Sequence, residues 1–537
     1  MLFNALPRYD CQTAPEYSES GQAALFATIL IPVVLLAGLL VFNTGQLTAT
    51  KIKTQNAADA AAFSAMQMEA RELNFISYTN RAMVANQVAI GQTISLVSWG
   101  HYVKNLGQTI QQLGTVANVI PVVGQAIGAI ANAIARVTDA LDQGVDEASK
   151  VVLPLLDGAD AALSGAQEMY HLNNGVFPNN GKPGAMTAVA EQMVKLNDPQ
   201  AQLNTVVLST MLVSYNLERG NFIKRWGGKK ADAQGRMAYM INASRDGFTR
   251  ERNDMPTMLR PLPSLPLWPF RIGIERRGGG QIATDATGKY AWSGMDTLSF
   301  RMWNYRCSLS GCGWRGGLEI PLGWGAAQTA GQEPYHYFRS SRRYQTTSAR
   351  VETSYPPQSE TQSLPPYGSS WDANPAASYI AQSQYAREQD AHGKEVAGTT
   401  GDAGRFAAGG ITRYQDFVRD SDALKKANGD PADIMPFYLV AVEHPRGTVR
   451  DSVTALGIGQ QAPARQEMNL VLPQTAQGGQ IRAVAKAQAY FRRPMSLWPR
   501  ADGYYERGNL FSPFWEARLV DLTAQDRVSI ATRLGIQ

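Results

Sequence analysis

The chain is poor in the residues that usually build reaction centres. Three cysteines and five histidines occur in 537 residues, and the histidines (His101, His171, His336, His392 and His444) are scattered. No P-loop, G-x-S-x-G elbow, H-E-x-x-H or C-x-x-C pattern is present, so the enzyme classes that those motifs mark have no support, and no cofactor or metal is implied. Charged residues make up 18% of the chain with a net charge of +5, too mild an excess to point to nucleic acid. Two local absences are more telling. No charge occurs from Ala23 to Phe42, and no proline occurs between Pro32 and Pro121.

The first of these gaps is a membrane span. Twenty apolar residues at about 1.5 Å each reach about 30 Å, the thickness of a bilayer's hydrocarbon. The second gap lets the same helix continue, because the residues beyond Asn43 are rich in alanine and other helix formers. The predicted organisation is a leader over 1–22, a span over 23–42, an extended helix and helical bundle over 43–254, and a mixed α+β domain over 255–537. The fold class is α+β.

Particular residues around the span resemble a known family. Gly21-Gln22 open the apolar run, Pro32 lies near its middle, and Gln55-Asn56-Ala57-Ala58-Asp59-Ala60-Ala61-Ala62 follow about a dozen residues beyond it. The run from Ala70 to Asn86, with Asn74, Tyr78, Asn80 and Arg81, continues the likeness, as does Asn509 to Leu519 near the other end. Together they resemble the TadE/TadG-like proteins of Flp (Tad, type IVc) pilus assembly. The resemblance implies a single-pass protein of the bacterial inner membrane, with its large carboxyl-terminal part in the periplasm and pilus-assembly proteins or pilins as partners. Prepilin-type cleavage after Gly21 would also follow, but the glutamate usual five residues on is Phe26 here. The Asp-x-Ser-x-Ser metal motif of relatives with a von Willebrand A domain is missing, so metal-dependent adhesion is not carried over.

Topology rests on further signs. Cys11 precedes the span, whereas Cys307 and Cys312 lie far beyond it, with four residues between them. That asymmetry fits a disulfide in an oxidising compartment, with two unpaired thiols as the alternative; zinc lacks a set of four ligands. Lys51 and Lys53 just past the span oppose this orientation by the positive-inside rule. The acidic leader without an A-x-A site favours an uncleaved signal anchor.

Two stripes organise the helical half. Phe63, Met66, Leu73, Ile76, Met83, Ile90, Ile94 and Val97 recur at mostly three- and four-residue steps, which predicts a buried face packed on the protein's own helices or on other subunits. Ile120, Val123, Ile127, Ile130, Ile134, Val137 and Leu141 follow a heptad seam, with Asn118, Gln125, Asn132, Asp139 and Asp146 at every seventh position on the predicted outside. An intramolecular hairpin buries that seam in one reading and self-association buries it in the other. The basic group Lys224, Arg225, Lys229 and Lys230 reads as a solvated face, with lipid headgroups or an acidic partner as the alternative.

At Met255 a cluster of prolines marks a change of composition. Beyond it, strands are predicted at Leu298–Arg306, Phe437–Val442, Ser452–Ile458 and Ile481–Phe491. In the last of these Ala483, Ala485, Ala487 and Ala489 alternate with larger residues and predict a closely packed helix on that face. The Ser-, Gln- and Pro-rich stretch 346–404 reads as a loosely ordered insertion.

The expected function is that of a non-enzymatic component of a Tad/Flp-type pilus or secretion apparatus, a pseudopilin-like minor subunit or assembly factor acting by helix packing. The alternative is an envelope enzyme or surface-binding protein that borrows a pilin-like anchor.

Overall fold

In the computed structural model the described residues are 20–117, 123–174, 184–226, 230–253, 270–284, 290–308, 311–329, 349–351, 354–355, 360–362, 373–385, 403–406, 410–418, 435–450, 479–494, 496–499 and 505–534. The fold is α+β, and one helix runs through all of it. Helix α1 (Ser20–Ala117) is 98 residues long and contains Pro32 without breaking. Pro32 sits among the exposed apolar side chains of the span, and the proline-free sequence beyond it keeps every later turn bonded. At 1.5 Å per residue α1 is about 147 Å long.

Helix α2 (Val123–Asn174) returns antiparallel along the outer half of α1. Helix α3 (Ala185–Asn197), strand β1 (Gln202–Leu203), α4 (Thr205–Phe222) and β2 (Ile223–Arg225) follow. Helices α5 (Lys230–Ala243) and α6 (Gly247–Arg250) lead to β3 (Phe270–Thr284), β4 (Tyr290–Ser308) and β5 (Gly311–Thr329). Then come β6 (Ala349–Val351), β7 (Ser354–Tyr355), β8 (Glu360–Gln362), α7 (Pro375–Tyr385), β9 (Ala403–Phe406) and β10 (Gln415–Phe417). Strands β11 (Phe437–Pro445), β12 (Gln480–Phe491), β13 (Tyr505–Glu506) and β14 (Trp515–Leu519) and helix α8 (Ala524–Leu534) complete the described chain.

Two four-stranded sheets lie along α1. The sheet nearer the span has the order β1-β11-β12-β14, all antiparallel. Its small-residue face works as the alternation predicts: Ala483, Ala485, Ala487 and Ala489 are buried in one cluster with Ala58, Ala61, Ala62 and Ala65 of α1. With methyl groups on both sides, strand and helix backbones can approach closely and exclude water without a large side chain between them. The other face of this sheet packs Leu439 and Ala441 against Val207 of α4 and Ile530 of α8.

The second sheet, of order β3-β4-β5-β9, lies across the outer part of α1. Gly91 of α1 faces the indole of Trp292, and Gly325 of β5 lies directly against the α1 backbone at Ser98 and Tyr102, so neither position has room for a Cβ. Each buried cluster on α1 therefore mixes residues from before and after Met255. The change of composition there separates helical from strand-rich sequence but does not separate two cores.

Several local expectations are altered. The stripe Met66, Leu73, Ile76, Met83, Ile90, Ile94 and Val97 is buried, but largely against strands of the carboxyl-terminal half, and Phe63 is exposed. The 346–404 stretch contains a helix, α7, whose Ala377 and Ala381 are buried. Ser452–Ile458 and Cys11 lie outside the described residues. Gly278-Gly279-Gly280 are strand residues paired with Asp296, Met295 and Gly294 of β4, and the carbonyls of Gly278 and Gly279 accept bonds from Arg252.

Candidate functional site: the anchor helix and its sheath

The candidate site is α1 itself, which changes character along its length. Leu25, Phe26, Ile29, Leu30, Val33, Val34 and Leu35 stand exposed around the helix. Among the described residues α1 is the one helix long and apolar enough to cross a membrane. From Thr54 onwards the same helix is sheathed: Thr54, Ala57, Ala58, Ala61 and Ala62 are all fully buried. The small residues over 57–62 are largely covered by the protein's own β12.

Polar side chains on α1 hold the sheath in place, and each satisfies a group that would otherwise be stranded in the interior. The Gln55 amide donates to Val484 O of β12 and to Asp59 Oδ1, so Asp59 is engaged within its own chain. Asn74 forms a two-way bridge to Trp515, its Nδ2 donating to the carbonyl at 2.9 Å and its Oδ1 accepting from the backbone N–H at 3.0 Å. Asn80 donates to Gln415 O and Leu510 O and accepts from Gln167 of α2. Farther along, Gln87 accepts from the Trp292 indole and donates to Asp160 and to Gly410 O. Ser98 donates to Asp296, which Arg252 also clamps with two bonds of 2.6 and 2.9 Å.

Of the residues singled out by the resemblance, Asn74 and Asn80 are thus the ones that tie distant segments to the helix. Gly21, Gln22 and Pro32 lie within α1; Asn56, Tyr78 and Arg81 are exposed on it. Tyr78 and Arg81 are not brought together with Asn74 and Asn80.

A buried ionic group links three helices. Arg219 of α4 donates to Glu69 at 2.7 Å and to Glu72, both on α1, and Glu72 also meets His171 and Asn174 of α2. Burial pushes the Glu69 carboxyl above its ordinary range in spite of Arg219. Burial acts the same way on Glu72, but Arg219, His171 and Asn174 outweigh it and hold that carboxyl below its ordinary range. Two carboxylates set against one guanidinium leave an excess of negative charge in the interior, and the neighbouring Glu72 adds to the rise at Glu69. Sequence periodicity did not mark this group, because Glu69 and Glu72 sit in a helix covered on most of its circumference, with a narrow stripe through Arg71, Tyr78 and Ala85 left open.

Asp160 of α2 is a second buried carboxyl. Burial raises it to about 6, against the donors Gln87 and Asn86, with Asp157 adding to the rise. Among the described residues no group of three or more His, Cys, Asp or Glu is placed to hold a metal ion.

Helix α2 corrects the heptad expectation. The polar positions assigned to the outside turn toward α1: Asn132 accepts from Gln111, and Asp146 is buried. The seam assigned to the inside is exposed at Ile127, Ile130, Ile134, Val137 and Leu141. Ile120 lies outside the described residues, and at Val123 the backbone alone is described. The reason lies on α1, which presents Gly100, Gly107 and Gly114 at seven-residue intervals. Asp142, Thr138 and Ala131 of α2 seat against them so closely that a Cβ would collide at Gly107 and Gly114. His101, Lys104 and Gln111 add polar partners on the same side. Small and polar α2 residues fit such a surface; a row of isoleucines does not.

Cys307 and Cys312 face each other across the β4–β5 hairpin and their sulfurs are bonded at 2.03 Å. In the basic segment, Lys224 and Arg225 are exposed at their backbone strand β2, Arg225 donating to Ser164, and Trp226 packs edge-on against Tyr414. Lys229 lies outside the described residues.

Residues 21–68 match the family of TadE/G-like Flp pilus-assembly (Tad) proteins. No curated protein and no solved structure matches the chain.

Proposed function

We propose that the chain is a non-enzymatic, single-pass inner-membrane component of a Tad/Flp-type pilus-assembly or secretion apparatus, a pseudopilin-like minor subunit or assembly factor whose large carboxyl-terminal part is periplasmic. The observation that carries this reading is the coincidence of the 21–68 family match with the one stretch of α1 that runs from bare span into sheathed helix. A catalyst needs a site where polar groups converge on a substrate. Here the buried polar groups of α1 converge on the protein's own backbone, and they fix a helix.

In this reading the span is available for lateral packing with pilin-like helices in the lipid, where small residues such as Gly38 permit close contact. Gly38 and Gly45 have nothing within 4 Å of where a Cβ would stand. The extension beyond Thr54 serves a different end, holding the body to the span. Helix packing with partners is therefore assigned to residues 24–45, and the alanines over 57–62 are assigned to the interior.

The test is a deletion strain complemented with the full chain or with a chain in which Gly38 and Gly45 are both replaced by Leu. The full chain should restore surface pili and co-purify with other pilus-assembly proteins. The double variant should insert and fold but lose both. Normal piliation in the deletion strain would overturn the reading, and activity of a cytoplasm-only reporter fused at Gln537 would overturn the orientation.

A further inference from the structure

The exposed seam of α2 is longer than the sequence stripe first suggested. From Ile127 the same three- and four-residue steps continue past Leu141 through Gly144, Ala148, Val151, Leu155, Gly158, Ala162 and Gly165 to Met169 and Leu172. The large members stay uncovered along the whole of it, Ile130 at 63%, Leu155 at 67% and Met169 at 72%. The small members are open as well: nothing lies within 4 Å of a Cβ built on Gly144, Gly158 or Gly165. This is a sustained heptad face, over 46 residues from 127 to 172, that none of the described residues covers.

We infer that this face pairs with α2 of a second copy of the same chain, the two helices running parallel and in register. A seam with a 3.5-residue period is matched by another long helix of the same period and by little else. Of the described helices only α1 and α2 are long enough, and α1 is sheathed on most of its circumference. Orientation follows from the anchor. Each copy has its span at the start of α1, so two copies in one membrane stand side by side the same way up, and their α2 helices are parallel.

Area and charge agree with that pairing. A strip about 69 Å long and about 10 Å wide covers about 700 Å² per copy, close to the ~800 Å² per partner of a standard stable interface. No charged residue occupies a seam position. Glu147 and Glu168 flank the seam, and in a parallel pair they lie near Val152 and Asn173 of the second copy and meet no like charge. With helices 8–10 Å apart, the two α1 spans would stand about 25–30 Å from each other on the outside of the pair, close enough to share one patch of membrane. The bulky block from Ile127 to Leu141 forms the tightest part, far from the bilayer, and the glycine- and alanine-rich middle lets the backbones approach.

The inference rests on the membrane anchor for its direction and not on any part in pilus assembly, so piliation is not its readout. The full chain carrying Cys11→Ser, with Cys307 and Cys312 retained, is given Ile134→Cys on the seam or Gln143→Cys on an exposed position beside it. Both are oxidised in native membranes and resolved without reductant. The expected result is a covalent dimer at least fivefold more abundant at position 134 than at 143, and its loss when Ile127→Asp is added in a variant that keeps protease resistance. Equal yields, no dimer, or an adduct of Ile134→Cys with a different protein would overturn the proposal. So would cross-linking of Ile134→Cys to a co-expressed Gly165→Cys chain but not to itself, which would mean antiparallel pairing.

Discussion

The two long helices, side by side, use their side chains in opposite ways. Helix α2 has the cleaner amphipathic pattern, yet its apolar stripe from Ile127 is exposed and Ala131, Thr138 and Asp142 lie against α1, with Val145, Leu153, Leu156 and Leu163 joining the core farther along. Helix α1 beyond Thr54 has a blurred pattern because nearly every side is covered, with Ala57, Glu69, Asn80 and Ser98 as deeply buried as Leu73 and Ile94. Clear amphipathicity therefore marks a helix with one face still open, while a central helix loses its periodicity by being surrounded. Which face is turned inward depends on the surface opposite, and glycines spaced by seven on α1 select methyl, hydroxyl and carboxyl groups over branched aliphatic ones.

The contrast can be broken most severely at its ionic centre. Arg219→Met should leave Glu69 and Glu72 buried without their cation and destabilise the sheath by about 3–5 kcal/mol; urea unfolding of the detergent-solubilised chain would measure it. An effect below 1 kcal/mol would mean that the group is more hydrated than its burial implies. Next in size, Ala61→Leu should cost about 1–3 kcal/mol by overpacking α1 against the alanine face of β12, measured in the same way. A neutral outcome would mean that this alanine surface is open and not packed against β12.

A subtler effect concerns pH. Asp160 is raised from 3.8 to about 6 in the folded chain. A raised folded-state value means the folded chain binds the proton more tightly, so this contribution to stability is complete below about pH 4 and is lost as pH rises through about 6. Asp160→Asn should flatten that fall, and thermal melts between pH 4 and 8 would reveal it as a smaller drop in Tm than in the parent chain. The smallest change is expected on the open face of α2: Ile134→Asp should shift the unfolding free energy of the monomer by less than about 0.5 kcal/mol, in the manner of surface substitutions. A loss of several kcal/mol there would show that the seam is an internal core after all.

Much of the architecture was legible in the residues. The apolar run from Ala23 to Phe42, the proline-free continuation and the alternating alanines of Ala483–Ala489 each carry a local physical signature, and the observed apolar start of α1, its length and the close-packed strand follow from them. The partners of α1 were not legible. Asn74 bonds to Trp515 and Gln55 to Val484, more than four hundred residues away, and no local pattern records such a pairing. The inward face of α2 was not legible for a related reason: the apolar stripe is a local pattern, but the glycine intervals that decide which face turns inward lie on α1. The hubs Asn74 and Asn80 stand among Arg71, Glu72, Ser77, Thr79 and Arg81, so no local pattern marks them, and family likeness alone singles them out.

The continuity of α1 has a mechanical consequence. With no break between its apolar start and the body, the helix is, in the proposed membrane-anchored arrangement, a lever whose fulcrum is the membrane surface. About 75 residues lie beyond the span, a reach of about 112 Å. A change of span tilt by about 10°, well within the range that membrane helices adopt, would sweep the far end of the body through about 20 Å. Any partner that gripped the span within the bilayer could steer the distal surface without touching it, and the body would in turn report forces applied at its tip as a change in how the span leans.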